Sequence, residues 1–261
     1  MSFVNNIDPV ALSVGPLEVR WYGVLFALGI GLNYLVLQWA FKREGEKEAK
    51  LESVAMWLFF GLLIGARLGH VLFYEWDYYG ENLLEILYVW QGGLASHGAI
   101  IGLFVSMLLW ARAKKVGRAD FWKFLDLVSL AMPLTGMFVR LGNFANSEIV
   151  GRTWDGPLAV VFSAWGETYG RHPVQLYEAL MNLLVFTVVM VLYRRRGLSG
   201  VPRGTYVVMV LGLYFVGRFL AEFFKERFVV DVGLALSMGQ ILSLGGLGLV
   251  AGLGVWAWKR D

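Results

Sequence analysis

Long apolar runs broken by short polar, basic clusters dominate this chain. Trp21 to Phe41 and Val232 to Trp258 contain no charged residue, and Gly92 to Ala111 contains only His97 as a possible charge. A hydrocarbon core of about 30 Å takes ~20 residues of helix to cross, so each run is long enough to be a span. Four further runs carry a polar interruption: 53–74 with Arg67, 121–140 ending in Arg140, 174–193 with Glu178, and 204–224 with Arg218 and Glu222. The pattern predicts an all-α integral membrane protein, one membrane domain over 1–261, with seven transmembrane helices at about 21–41, 53–74, 92–111, 121–140, 174–193, 204–224 and 236–258.

Composition agrees: 57% of the residues are hydrophobic and only 16% charged, below the quarter usual in soluble domains. The positive charges are segregated. Fifteen lie in the connections after spans one, three and five and at the C-terminus, against five on the other side. Cytoplasmic loops carry the excess of Lys and Arg, so the expected topology is N-terminus outside, C-terminus cytoplasmic. The net charge of +3 is therefore a topology signal. No stacking or groove-reading motif accompanies the basic clusters, so no nucleic acid is expected as a partner; the lipid bilayer is. Residues 1–20 lack a basic n-region and are broken by Asp8 and Pro9, so they read as a surface segment, not a cleavable signal.

One connection is long. Residues 143–173 lie outside and read as a small outer, periplasmic cap, the kind of loop that is usually functional. The chain has no cysteine, which removes disulfides, thiolate nucleophiles and cysteine metal sites, and the three histidines have no metal spacing. Neither a metal nor a cofactor is expected.

Polar residues at membrane depth carry the functional signal. A mid-membrane guanidinium costs roughly 2.5–3.5 kcal/mol on insertion scales, so Arg67, Arg140 and Arg218 need partners, and an anionic group between helices is the simplest. Arg140 opens the run RLGNFANSEIVGR, which also holds Asn143, Asn146, Glu148, Gly151 and Arg152. Arg218 and Glu222 are four apart on one helix face and could pair with each other. His97 lies among Gly92, Gly93 and Gly98, where ligand or backbone could approach closely, and an imidazole exchanges a proton near neutral pH. Tyr22 stands at the outer end of span one, where position alone says little.

Seven segments, in order along the chain, resemble the prolipoprotein diacylglyceryl transferase family: IDPVALSVGPLEVRWYG (7–23), GARLGHVLFY (65–74), QGGLASHGAIIG (91–102), RLGNFANSEIVGR (140–152), RHPVQLYEAL (171–180), GRFLAEFFK (217–225) and SMGQILS (237–243). RLGNFANSEIVGR is similar to the family's signature segment. The resemblance implies a bacterial inner-membrane enzyme, in which the diacylglyceryl group of phosphatidylglycerol passes to the thiol of the lipobox cysteine in a prolipoprotein signal peptide. The product would be a thioether, and glycerol-1-phosphate would leave. Carried over by position, Tyr22, His97, Arg140, Asn143, Glu148, Gly151, Arg218 and Glu222 match residues the family uses. Departures are Val139 for the signature's glycine, Ala145 for a bulky aliphatic, Gly98-Ala99 for a double glycine, and Lys225 where arginine is frequent.

These readings give His97, Arg140, Arg218 and Tyr22 as candidate catalytic residues. Arg67, Asn143, Asn146, Glu148, Gly151, Arg152 and Glu222 are candidate substrate-binding residues. His97 and Tyr22 compete for removal of the thiol proton. Two other classes stay open on sequence: a transporter of an anionic headgroup or small anion, and a scaffold whose arginines merely pair with Glu178 and Glu222.

Overall fold

The computed structural model describes residues 3–15, 17–89, 92–226 and 236–258; the side chains of Leu17, Ser96 and His97 lie outside the described part. Its helices are α1 (Trp21–Arg43), α2 (Glu48–Phe73), α3 (Trp76–Glu81), α4 (Ser96–Ala113), α5 (Arg118–Ser129), α6 (Met132–Ala145), α7 (Val174–Arg196), α8 (Thr205–Ala221) and α9 (Met238–Trp258). Six helical segments are long and apolar enough to cross a membrane: α1, α2, α5 and α6 taken together, α7, α8 with the 3-10 turn Glu222–Phe224, and α9. The expected third span, 92–111, corresponds to α4, whose apolar stretch Gly98–Ala113 is shorter. Gly92 and Gly93 adopt positive φ values of 92° and 70°, so the helix cannot begin before them.

The fold is helical with a small β addition that the hydrophobic pattern does not signal. β1 (Phe3–Asn5) pairs in parallel with β4 (Val160–Phe162), and β2 (Val10–Val14) pairs antiparallel with β3 (Leu17–Arg20). Phe3–Asn5 is thus tied into the 143–173 segment. Asn5, 1% exposed, donates from Nδ2 to the Phe144 carbonyl at 2.9 Å, and the Ser163 hydroxyl donates to the Asn5 carbonyl at 2.8 Å. Val150, Val160 and Phe162 form a small core beneath, with Phe144 packed against it.

The chain divides into two compact units, Met1–Ala40 with Trp122–Asp261, and Phe41–Phe121. In the second unit α2 and α4 meet along a glycine seam. A Cβ on Gly65 would lie 2.6 Å from the Gly102 Cα, and one on Gly69 would lie 2.6 Å from the Gly98 Cα. Only hydrogen fits there, the close backbone approach that small residues allow between membrane helices. The Ala95 N–H reaches the Ala66 carbonyl at 2.9 Å, fixing where α4 begins against α2.

In the first unit the expected single helix over 121–140 is broken. α5 stops at Ser129 and α6 restarts at Met132, with Pro133 in its first turn, where a missing N–H costs nothing. Just before the break lies Asp126, 2% exposed, whose Oδ2 accepts the Gly204 N–H at 2.7 Å and whose Oδ1 accepts the Val207 N–H at 2.9 Å. A carboxylate from α5 therefore caps the N-terminus of α8, satisfying donors that a helix start leaves open and favouring the positive end of its dipole.

Candidate functional site

Glu178 is the hub of the first unit. It sits early in α7, is 2% exposed, and is surrounded by three cations. Arg140 Nε from α6 lies 2.9 Å from its Oε2, Lys225 Nζ lies 2.9 Å from Oε1, and Arg218 Nη1 from α8 lies 3.6 Å from Oε1. Lys225 also approaches Glu222 Oε2 at 3.3 Å. Arg218 lies against Glu178, while the carboxylate of Glu222, with which its spacing would also let it pair, faces Lys225 and α9. A Cβ on Gly239 would come within 2.6 Å of Glu222 Oε2, so a glycine is what lets α9 pass this acid.

The same arginine begins a second chain of contacts. Arg140 Nη1 donates to Asn143 Oδ1 at 3.2 Å, and Asn143 Nδ2 donates to Glu148 Oε2 at 3.0 Å. Asn146 Nδ2 donates to Glu148 Oε1 at 3.1 Å. Local backbone explains how Glu148 reaches back over the end of α6: Ser147 and Ile149 on either side have φ of 55°, left-handed values that are costly for non-glycine residues. Gln175, wholly buried, holds this turn through Nε2, which donates to the Glu148 carbonyl at 2.6 Å. Tyr22 packs its ring on Gly142, where a Cβ would lie 2.8 Å from the Tyr22 Cδ2.

Gly151 and Arg152 enter through the backbone. Gly151 bridges Lys225, its N–H reaches the His172 carbonyl at 3.0 Å, and a Cβ there would lie 2.7 Å from both the Phe224 carbonyl and the His172 Cβ. The Arg152 N–H donates to the Phe224 carbonyl at 2.9 Å, while its side chain is exposed. This small bridge sets where Lys225 stands. Beside it, His172 (5% exposed) stacks on Trp154 at 4.7 Å and sets its Nδ1 3.2 Å from the Tyr177 hydroxyl. Burial, and then the positive charge of Arg152, hold the His172 imidazole below its usual pKa, so it favours the neutral form. Arg171 braces the segment from below, making two 2.6 Å bonds to Glu167 and one of 2.9 Å to Glu226. The hydrogen bonds from Arg171 hold the Glu167 carboxyl below its ordinary value.

Arg67 turns its guanidinium to backbone carbonyls. It is 3% exposed in the second unit, and its guanidinium donates to the carbonyls of Ile86 (2.8 Å), Gly92 (2.8 Å), Gly93 (3.3 Å) and Glu85 (2.6 Å). Four of five N–H groups are therefore spent on backbone, and the Tyr79 ring lies 4.8 Å from Cζ. The carbonyls of Glu85, Ile86, Gly92 and Gly93 thus surround its charge. His97 opens α4 in the same unit, and its side chain lies outside the described residues.

Of the expected site residues, Arg140, Asn143, Asn146, Glu148, Arg218 and Glu222 join one network, Tyr22 and Gly151 border it, and Arg152 contributes its backbone. From the sequence Glu178 reads only as a possible neutralising acid, Lys225 has no role of its own, and Gln175 does not stand out. One signal was available: Glu178 and Gln175 fall on the segment RHPVQLYEAL, with Glu178 the single acid of an apolar run. The network holds three cations, Arg140, Arg218 and Lys225, and three carboxylates, Glu148, Glu178 and Glu222. Guanidinium donors held in place beforehand are suited to a phosphodiester.

Comparison with known proteins places the amino-acid sequence in a family. The family model described as prolipoprotein diacylglyceryl transferase covers residues 9–258. Proteins named phosphatidylglycerol–prolipoprotein diacylglyceryl transferase are similar over most of their length. That of Tolumonas auensis is 39% identical over 240 residues, 92% of this chain and 91% of the relative. That of Bacteroides fragilis is 36% identical over 252 residues, 92% and 89% respectively, and that of Chloroherpeton thalassium 39% identical over 241 residues, 92% and 88%. The chain belongs to the prolipoprotein diacylglyceryl transferase family.

Proposed function

We propose that this chain is a bacterial inner-membrane enzyme that transfers the diacylglyceryl group of phosphatidylglycerol to the lipobox cysteine of a prolipoprotein. Membership of the family supports the reaction, and the Arg140–Glu178–Lys225–Arg218 cluster carries the reading at the level of residues. Seven spans read from the apolar runs, with the N-terminus outside and the C-terminus cytoplasmic by the charge distribution, put the 143–173 cap on the side where an exported precursor emerges.

The cysteine sulfur attacks the glyceryl carbon that bears the phosphate. A carbon–sulfur bond forms, the carbon–oxygen bond breaks, and its electron pair leaves with glycerol-1-phosphate. Charge on the phosphate grows as that bond lengthens. Arg140 and Arg218 stabilise it, since a guanidinium matches two phosphate oxygens at once, and one such donor is worth about 3–4 kcal/mol in a dry site. Glu178 keeps these cations aligned before lipid arrives and lowers the cost of holding them at depth. A free thiol ionises near 8.5, so its proton must be drawn off at neutral pH. His97 is the base in this reading, with Tyr22 as rival or orienting partner. Asn143, Asn146, Glu148 and Gly151 shape the pocket beside Arg140, with Glu222 and Lys225 on the other flank. Arg67 acts by holding the carbonyls of Glu85, Ile86, Gly92 and Gly93 together.

The decisive experiment incubates detergent-purified protein with phosphatidylglycerol and a peptide containing the lipobox cysteine. The expected result is a mass gain of one diacylglyceryl unit that disappears when the cysteine is alkylated beforehand. A peptide of unchanged mass, with protein that still binds phosphatidylglycerol, would return the cluster to the transporter reading.

A further inference from the structure

Two buried polar atoms at the α9 side of the cluster make no hydrogen bond. Gln240, in the first turn of α9, is 1% exposed, and its Nε2 has no hydrogen-bond partner among the described residues. The same holds for Glu222 Oε2, which has Lys225 Nζ at 3.3 Å as an ion-pair contact. Gly239, whose missing side chain makes room for the Glu222 carboxylate, is the residue next to Gln240. A buried donor or acceptor left open is costly, so each such atom calls for a partner. The local fold fixes which end of the amide is open. Gln240 Oε1 accepts the Ser237 N–H at 2.9 Å, and Ser237 Oγ accepts the Gln240 N–H at 3.2 Å, the reciprocal cap of a Ser-x-x-Gln helix start. The oxygen is used, so the two N–H groups of Nε2 are left over. A glutamate would close the same cap; the amide adds donors.

We propose that Gln240 selects the lipid by its headgroup: Nε2 donates to a free hydroxyl of the headgroup glycerol, and the hydrogen of that hydroxyl goes to Glu222 Oε2. This rests on the reading of phosphatidylglycerol as the lipid that enters the cluster. An open donor beside an open acceptor matches a hydroxyl, which accepts and donates at once. An ammonium headgroup only donates, and an alkyl group does neither. Arg140 and Arg218 suit the phosphodiester that such lipids share, so selection falls to groups that touch the alcohol beyond it. A site built around a hydroxyl rejects the analogue lacking it, because its buried polar groups then stay unpaired.

Native mass spectrometry of the full chain, with phosphatidylglycerol and phosphatidylpropanol in competition, tests this. The second lipid has the same phosphodiester and an alcohol of equal length without free hydroxyls. Wild type should prefer phosphatidylglycerol about tenfold, the weight of one or two hydrogen bonds. Gln240→Leu and Gln240→Glu should each cut that ratio to about twofold or less, the glutamate variant with its helix cap intact. Ser237→Ala, which weakens the cap and leaves the amide, should keep the ratio. A wild-type ratio near unity would overturn the proposal. So would an unchanged ratio in either Gln240 variant, including an equal loss of affinity for both lipids. Transfer to a lipobox peptide is followed alongside. A ratio that depends on Gln240 in a protein that transfers nothing would uphold the headgroup contact and remove the transferase reading instead.

Discussion

Arg140 on α6 and Glu178 on α7 meet at 2.9 Å, with Glu178 only 2% exposed, so the strongest anion-binding candidate of the chain is held by a buried acid. Removing one member of such a pair leaves an uncompensated charge. Glu178→Ala should destabilise the protein by about 3–5 kcal/mol, read as a lowered unfolding temperature in detergent. Glu178→Gln should fold better than the alanine variant yet still transfer poorly, because Arg140, Arg218 and Lys225 would repel one another. Wild-type transfer by Glu178→Gln would mean that the cations align without it.

Arg140→Ala should abolish transfer while the protein still inserts into the membrane. The loss expected from one phosphate-facing donor alone is about 10²–10³-fold. Undiminished turnover would remove Arg140 from the reaction.

His97→Gln should lower transfer strongly at neutral pH and recover part of it as pH rises toward the thiol's own value near 8.5, where the nucleophile ionises unaided. The measurement is the pH profile of transfer for both proteins. Parallel profiles would shift the proton to Tyr22 or to solvent.

Gln175→Ala strips the Glu148 carbonyl of its 2.6 Å partner in a turn whose neighbours already have φ of 55°. The cost of that lost bond is about 1–3 kcal/mol, and displacement of Glu148 should cut turnover about tenfold. The readout is turnover at saturating phosphatidylglycerol together with melting temperature; an unchanged turnover in a destabilised protein would make Gln175 purely structural.

His172 gives the cap a pH dependence. Its imidazole is held below the ordinary value of about 6.5, so between that value and its folded one the unfolded cap binds more protons. The contribution to stability is complete above about pH 6.5 and is lost as pH falls toward the folded value. Amide exchange over 151–172, corrected for intrinsic rates, should show more opening at pH 5 than at pH 7.5, and His172→Phe should lose that difference.

Much of the helical frame was legible because lipid imposes one rule on every residue of a span. Six of the expected spans fall on helices of sufficient length. The Arg140–Arg152 run was legible for the opposite reason, since such polar density at a span's end has no use in hydrocarbon. What escaped was whatever depends on contacts distant in sequence. Glu178 gathers groups from positions 140, 218 and 225, and a lone acid in an apolar run signals a polar role without saying which distant groups it will meet. Arg218 and Glu222 have ideal spacing to pair, yet Glu178 and Lys225 offer better geometry. The break between α5 and α6 was hidden because Leu130 and Ala131 are as apolar as the residues around them, and the strands of residues 3–20 because they are too short for periodicity to register.

The clasp of Asp126 on the start of α8 makes that helix a lever with a pinned fulcrum. Arg218 lies thirteen residues beyond Thr205, roughly 20 Å along the axis, so its height beside Glu178 is measured from an acid at the far end of the molecule. A small slip at the pin would travel the full arm, and a residue that never touches lipid or thiol would thereby govern how well they are joined.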